Sequence, residues 1–156
     1  MTNEKIVKIE EIKDFKIKCI GHHSKTAHLG IKFMLNAVMG GFSEYDGYKV
    51  TTTDHEYFIL IDNGQNCCES WGYMVSEDNF DNFIGKTLVG VELTNTALDK
   101  KVVEDLYCDD DQIQFVDFNM SNGSVLQFTV YNSHNGYYGH SVIVAKDTDV
   151  LLNITL

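Results

Sequence analysis

Proline and arginine are both absent from the 156 residues, and no apolar run approaches the length of a membrane span. Without proline there is no proline-rich spacer. With no low-complexity tract and no repeat of fixed period either, the chain reads as a single domain over residues 1–156 with no linker. Runs such as Val142-Ile143-Val144-Ala145 are strand-sized, far short of the ~20 residues that a spanning helix needs. The start, Met1 to Ile6 followed by Glu10 and Glu11, lacks the apolar core of a secretory signal, so no membrane partner and a cytoplasmic location are expected. The sequons at Asn119, Asn122 and Asn153 are then chance matches. Cysteine is scarce: Cys19, Cys67, Cys68 and Cys108 include an adjacent pair and make no disulfide framework, so reduced thiols are expected.

The missing arginine matters most when read with the charge. The net charge is −11, from 12 basic and 23 acidic residues. Residues 1–32 hold seven lysines against Glu4, Glu10, Glu11 and Asp14, a local +3, and the remainder carries −14. Arginine supplies the planar fork that suits phosphates and guanine edges. Its absence in a negative field excludes direct nucleic-acid binding and leaves a basic protein as the natural partner.

What is present is a core. The hydrophobic content is 44%, with 9 Phe, 8 Tyr and 1 Trp, which is enough apolar surface to fold without staples. Strands are expected over Lys5–Ile12, Phe15–Ile20, Tyr48–Thr53, Glu56–Ile61, Cys67–Val75 and Lys86–Leu93. The Asp54-His55 step joins two of them as a hairpin. Thr26–Met39 is the helix candidate, since Leu29, Phe33 and Ala37 recur at spacing four before Gly40-Gly41; Glu77–Ile84 offers a turn or two more. Gln112–Met120, Val125–Tyr131 and Ser141–Lys146 read as an antiparallel meander, with a type I′ turn at Asn122-Gly123 and a closing strand at Val150–Ile154. The expected class is α+β, a mainly antiparallel sheet with one principal helix and the meander at its centre. Trp71 is expected in the core, with Glu69 on the same face and therefore paired or at its edge.

Several constellations could carry chemistry. Adjacent Cys67 and Cys68 point to opposite faces of a strand and lack the two-to-four-residue gap of a structural zinc site. His22, His23, His28 and His55 match no metal pattern. Gly85-Lys86-Thr87 has Phe80 where a phosphate loop needs glycine, and Asp109-Asp110-Asp111 has Met120 where a calcium loop needs glutamate. No catalytic residue and no cofactor is implied. The acidic stretch Asp99–Asp111 reads as a loop with at most a helical turn; its Glu104, Asp105, Asp109, Asp110 and Asp111 form a phosphate-like strip suited to a basic groove. Asn132–His140 reads as a long hairpin loop in which His134, Asn135, Tyr137, Tyr138 and His140 mix titratable and stacking groups.

Asn66-Cys67-Cys68-Glu69-Ser70-Trp71, Phe83-Ile84-Gly85 and Asn135-Gly136-Tyr137-Tyr138-Gly139 together resemble a family of small phage and prophage domains of unknown function. The resemblance covers residues 47–146 and leaves the lysine-rich start outside; Asn66 replaces the expected acid. It implies a mobile-element origin and a protein that binds and inhibits a basic, nucleic-acid-binding host defence protein, such as a CRISPR nuclease. Two other classes compete with that reading. One is a small hydrolase or nucleotide-binding protein using His134, His140, Cys67 or Cys68. The other is a structural accessory protein forming a symmetric oligomer.

Overall fold

The computed structural model describes residues 3–18, 42–64, 68–134 and 138–156. Among them nine strands build two antiparallel sheets. β1 (Ile6–Lys18), β2 (Phe42–Thr52), β3 (Glu56–Asp62), β8 (Ser141–Lys146) and β9 (Asp149–Thr155) form the first sheet in that order. The second runs β4 (Ser70–Val75), β7 (Val125–Ser133), β6 (Ile113–Met120), β5 (Leu88–Thr94). One short helix, α1 (Lys100–Leu106), and 3₁₀ turns at Phe80–Asn82 and Asp110–Gln112 complete the described elements.

The sheets face each other across one core. Ile6, Ile9, Val50, Ile59, Val142 and Val144 from the first meet Leu88, Val116, Phe118, Leu126, Phe128 and Val130 from the second. Successive side chains of a strand point to opposite faces. β3 and β8 are therefore apolar throughout because both faces are buried: Ile59, Ile61, Val142 and Val144 point between the sheets, while Phe58, Leu60, Ile143 and Ala145 form a second cluster with Ile17 and Tyr45. Aromatic rings bridge the sheets edge to face, Tyr48 against Tyr73 at 5.4 Å and Tyr57 against Phe118 at 5.4 Å.

The mainly antiparallel expectation matches this architecture, and several details differ. Ser141–Lys146 is not the third strand of a meander. β8 hydrogen-bonds to β3 and β9, and the chain crosses between sheets after β7. Val142-Ile143-Val144-Ala145 needs cover on both faces, which the centre of the first sheet provides. The expected helix Thr26–Met39 lies outside the described residues, and the described helix falls in the acidic stretch. The described parts of the two expected strands Lys5–Ile12 and Phe15–Ile20 join in one strand, β1 (Ile6–Lys18), continuous through a bulge where Asp14 adopts φ 53; Cys19 and Ile20 lie outside the described residues. Only Gly123 in the β6–β7 turn has positive φ, 83, so the connection is a three-residue loop with glycine in the left-handed position and not a type I′ turn. Among the described residues no helix is long and apolar enough to cross a membrane.

Opposite the β1 bulge stands Gly47, paired with both Ile12 and Leu60. Its φ is 155, and a Cβ there would lie 1.9 Å from the Ile59 carbonyl oxygen. Nothing larger than hydrogen fits between these strands. Gly47→Ala is expected to cost more than about 3 kcal/mol in urea unfolding, well beyond an ordinary surface substitution; a variant within about 0.5 kcal/mol of the parent would contradict the close approach.

The bridging tyrosines also set a pH limit. Burial, then the charges of Glu11 and Asp78, push the Tyr48 phenol up to about 12. Burial raises Tyr57 and Tyr73 as well, reinforced by the Glu4 and Glu11 carboxylates that accept their hydroxyls. A phenol raised in the folded state holds its proton longer than in the unfolded chain, so this contribution is full below pH ~10 and falls away as pH rises towards 12. Absorbance at 295 nm is expected to show part of the tyrosine signal appearing only with cooperative alkaline unfolding. Complete ionisation near pH 10 in a chain that remains folded would refute this.

Candidate functional site

The acidic residues singled out in the sequence lie on one anchored projection. After β5 the chain crosses to Gln127 of β7, whose buried amide accepts from Leu98 N at 2.9 Å and donates to Thr96 O at 3.0 Å and Asp117 Oδ1 at 2.7 Å. Asp99 then caps α1 by accepting from Lys101 N at 2.9 Å. The helix ends at Tyr107 in the left-handed conformation, φ 51. Beyond it Asp109 and Gln112 close a reciprocal capping box around Asp110–Gln112.

This projection meets the end of β7. Gln112 Nε2 donates to His134 O at 2.9 Å, and Ser133 Oγ approaches Tyr107 O at 3.5 Å. Glu104, Asp105, Asp109, Asp110 and Asp111 are all exposed, and His134 is half-buried beside them. Sequence reasoning missed Tyr107, which is 88% exposed and sits between the two acid groups. An aromatic in a helical tail is ordinarily assigned to the core; only its place among acids could have marked it. Its neighbour Cys108 is no candidate nucleophile, because burial, and then Asp109, raise its thiol.

Of the segment Asn132–His140, Asn132 and Ser133 belong to β7, and Asn132 and His140 are buried. Asn135 and Tyr137 lie outside the described residues, and the Tyr138 carbonyl accepts from Asn132 Nδ2 at 2.7 Å. The His140 side chain is 1% exposed and contributes nothing to a surface. Its Nδ1 lies 2.5 Å from Asp62 O, and its Nε2 lies 2.9 Å from Glu69 Oε1, whose side chain is 0% exposed. Trp71 stacks on the imidazole, ring centroids 5.1 Å apart and planes at 26°.

A carbonyl can only accept, so Nδ1 carries a hydrogen. Nε2 and Glu69 Oε1 face each other as two buried polar groups 2.9 Å apart. The approach to Oε1 is out of line for a hydrogen bond, so the contact is chiefly electrostatic. The expectation that Glu69 is paired is thus met, by a residue 71 positions away that no sequence spacing reveals. Trp71 is half-buried where a largely buried core position was expected, because β4 begins only at Ser70 and is an edge strand. Cys67 lies outside the described residues, and Cys68 is exposed in a left-handed turn, φ 71. Among the described residues no three His, Cys, Asp or Glu side chains converge to hold a metal ion.

A family described as a domain of unknown function, DUF7448, matches residues 1–144. The chain belongs to the DUF7448 family. The match takes in the lysine-rich start, which the motif resemblance had left outside. A relative of this DUF7448 chain is the "Uncharacterized protein L278" of Acanthamoeba polyphaga mimivirus, 27% identical over 97 residues, which cover 61% of this chain and 74% of that protein. The family of unknown function and the viral relative accord with the coarse resemblance. No solved structure matches the chain.

Removing Glu69 leaves the buried imidazole without its counter-group. Glu69→Ala is expected to cost about 3–5 kcal/mol in urea unfolding. Glu69→Gln should cost less, since its amide can donate to a neutral Nε2. Equal stability of the alanine variant and the parent would show that the pair does not hold the sheets together.

Proposed function

We propose that the chain is a non-enzymatic domain that docks the projection at residues 98–112 on a basic protein of the host cell, one that otherwise binds nucleic acid. The single observation that carries this reading is Tyr107. A large aromatic side chain, 88% exposed and held in a left-handed conformation, is flanked along the chain by the exposed Glu104, Asp105, Asp109, Asp110 and Asp111. An aromatic anchor inside a charged rim is the composition of an interface centre. The rim steers a positive groove into register, and the ring supplies the contact that lasts. Occupying a groove that phosphates would fill inhibits the partner, and a defence nuclease is one protein with such a groove. The viral relative supports a partner on the host side.

The left-handed conformation gives a clean test. Tyr107→Gly removes the ring and relieves a strain of about 1 kcal/mol, so binding and folding separate. The experiment is affinity capture from host lysate, followed by kinetics on the purified partner. Tyr107→Gly is expected to weaken affinity about tenfold or more through faster dissociation, with stability unchanged or improved. Replacing Asp109, Asp110 and Asp111 with Asn is expected to slow association several-fold, an effect that raised salt mimics. If both variants bind as the parent does at low and high salt, this surface is not the docking face.

A further inference from the structure

We propose that β9 pairs antiparallel with β9 of a second copy of this chain, about a two-fold axis through Ile154, joining the two first sheets into one continuous sheet. The phase of the β8–β9 ladder carries this. His140 and Leu156 exchange both main-chain bonds, His140 N to Leu156 O at 2.8 Å and Leu156 N to His140 O at 2.9 Å. In an antiparallel ladder such pairs alternate with pairs that do not bond each other. Ile154 opposite Val142 and Leu152 opposite Val144 therefore turn their main-chain groups to β8, and Asn153 and Thr155 turn theirs outward. Among the described residues none bonds to these outward groups, since β9 ends its sheet.

The other three edges are guarded or occupied. β1 carries the exposed Lys8, Lys13 and Lys16 and is interrupted by the bulge at Asp14. Tyr73 Oη of β4 donates to Glu11 Oε1 of β1 at 2.6 Å, which ties these two edges to each other. The start of β5 bonds to Glu4 and Ile6, and its remainder has a bulge, Gly90 and the exposed Glu92. Lysines, other charges and bulges are the ordinary devices that stop a strand from adding to an edge. β9 has one irregularity, at Leu151, and beyond it Leu152–Leu156 carries no charge and no glycine.

Charge and symmetry make the occupant a second copy. At a net charge of −11 two copies repel except where local charge is low, and an uncharged edge offers a basic partner no steering. With the axis at Ile154, Asn153 of each copy stands opposite Thr155 of the other, and each such pair exchanges both main-chain bonds. Ile154 meets its own copy in the close-approach pair between them. That contact covers a side chain left half-buried at the rim of the core, and Leu152, half-buried likewise, falls opposite Leu156. The Asp149 carboxylates lie on opposite sides of the axis, about 34 Å apart at ~3.4 Å per residue, well beyond the ~8 Å screening length. No residue of the Tyr107 projection takes part, so Tyr107→Gly is expected to leave the dimer intact.

Sedimentation velocity from about 1 to 300 µM tests the pairing, because an interface confined to one strand edge belongs to the small, weak class. A monomer–dimer equilibrium in the micromolar range is expected. Amide exchange at Asn153 and Thr155 should slow several-fold as the protein is concentrated, while Ile154, already bonded to β8, changes little. Asn153→Glu sets like charges on both sides of the axis, and Asn153→Pro removes an outward N–H; each is expected to weaken the dimer about tenfold or more. Neither takes a bond from β8, and an amide spectrum of the dilute variant that matches the parent outside β9 shows that the fold is retained. A chain that stays monomeric at the highest concentration overturns the proposal and leaves the edge to a strand of another protein. A dimer that both variants form as the parent does, or in which Asn153 and Thr155 exchange at one rate throughout, also overturns it.

Discussion

The two central strands of the first sheet, β3 and β8, are buried on both faces, and the rest of the architecture follows from covering them. Ile59, Ile61, Val142 and Val144 require an opposing layer, which the second sheet supplies through Phe118, Leu126 and Phe128. Phe58, Leu60 and Ile143 require cover on the other side, and they are buried in the second cluster with Ile17 and Tyr45. Neither strand could stand at an edge without exposing one of these rows to water. Placing both at the centre forces β1, β2 and β9 outward and takes β8 out of the hairpin series to which its sequence neighbours belong.

That demand explains what the sequence made legible. Strand existence followed from local chemistry: alternation in β6, β-branched residues in β2 and β3, and a glycine between β6 and β7. Partner choice did not follow. The run Val142–Ala145 looks the same whether it pairs with β7 or with β3, and only burial of both faces distinguishes them. The sequence reads as two strands around Lys13-Asp14, and the structure has a bulge there in which Asp14 N donates to Asp46 Oδ1 at 2.9 Å. For the candidate site, the acidic residues were legible as a cluster because they are contiguous in sequence. Tyr107 and the partner of Glu69 were not, since exposure and long-range pairing leave no local periodicity.

The projection at residues 98–112 owes its order to the sheet beneath it. A seven-residue helix with exposed acids has little helical stability of its own in water. Gln127 and Gln112 hold its two ends by hydrogen bonds to main-chain groups, and neither contact uses an acidic side chain of the strip. The charges therefore remain available while the backbone that carries them is fixed, which reduces the ordering cost on binding. Loop residues held by a rigid scaffold are where recognition concentrates.

The two ends of the sandwich are closed by different means. Near β5 the closure is main-chain: Leu88 N donates to Glu4 O at 2.8 Å, Ile6 N to Lys86 O at 3.0 Å, and Thr53 N to Lys5 O at 2.8 Å. These bonds are neutral: the first two flank the isolated bridge between Lys5 and Thr87 and tie the start of β1 to β5, and the third extends the β1–β2 pairing. At the other end Glu69 and His140 span the sheets by a buried polar pair, while Asn132 holds the Tyr138 and Leu156 carbonyls at 2.7 and 2.9 Å. A buried pair stabilises less than apolar packing of the same volume would, but it tolerates only one arrangement of its members. The end that carries this geometric constraint is also the end against which the Tyr107 projection is seated, through Ser133 and His134. Fixing how β4 and β7 meet β8 fixes the platform for that projection, and this gives the structure a physical reason to keep a polar pair where aliphatic side chains would fit.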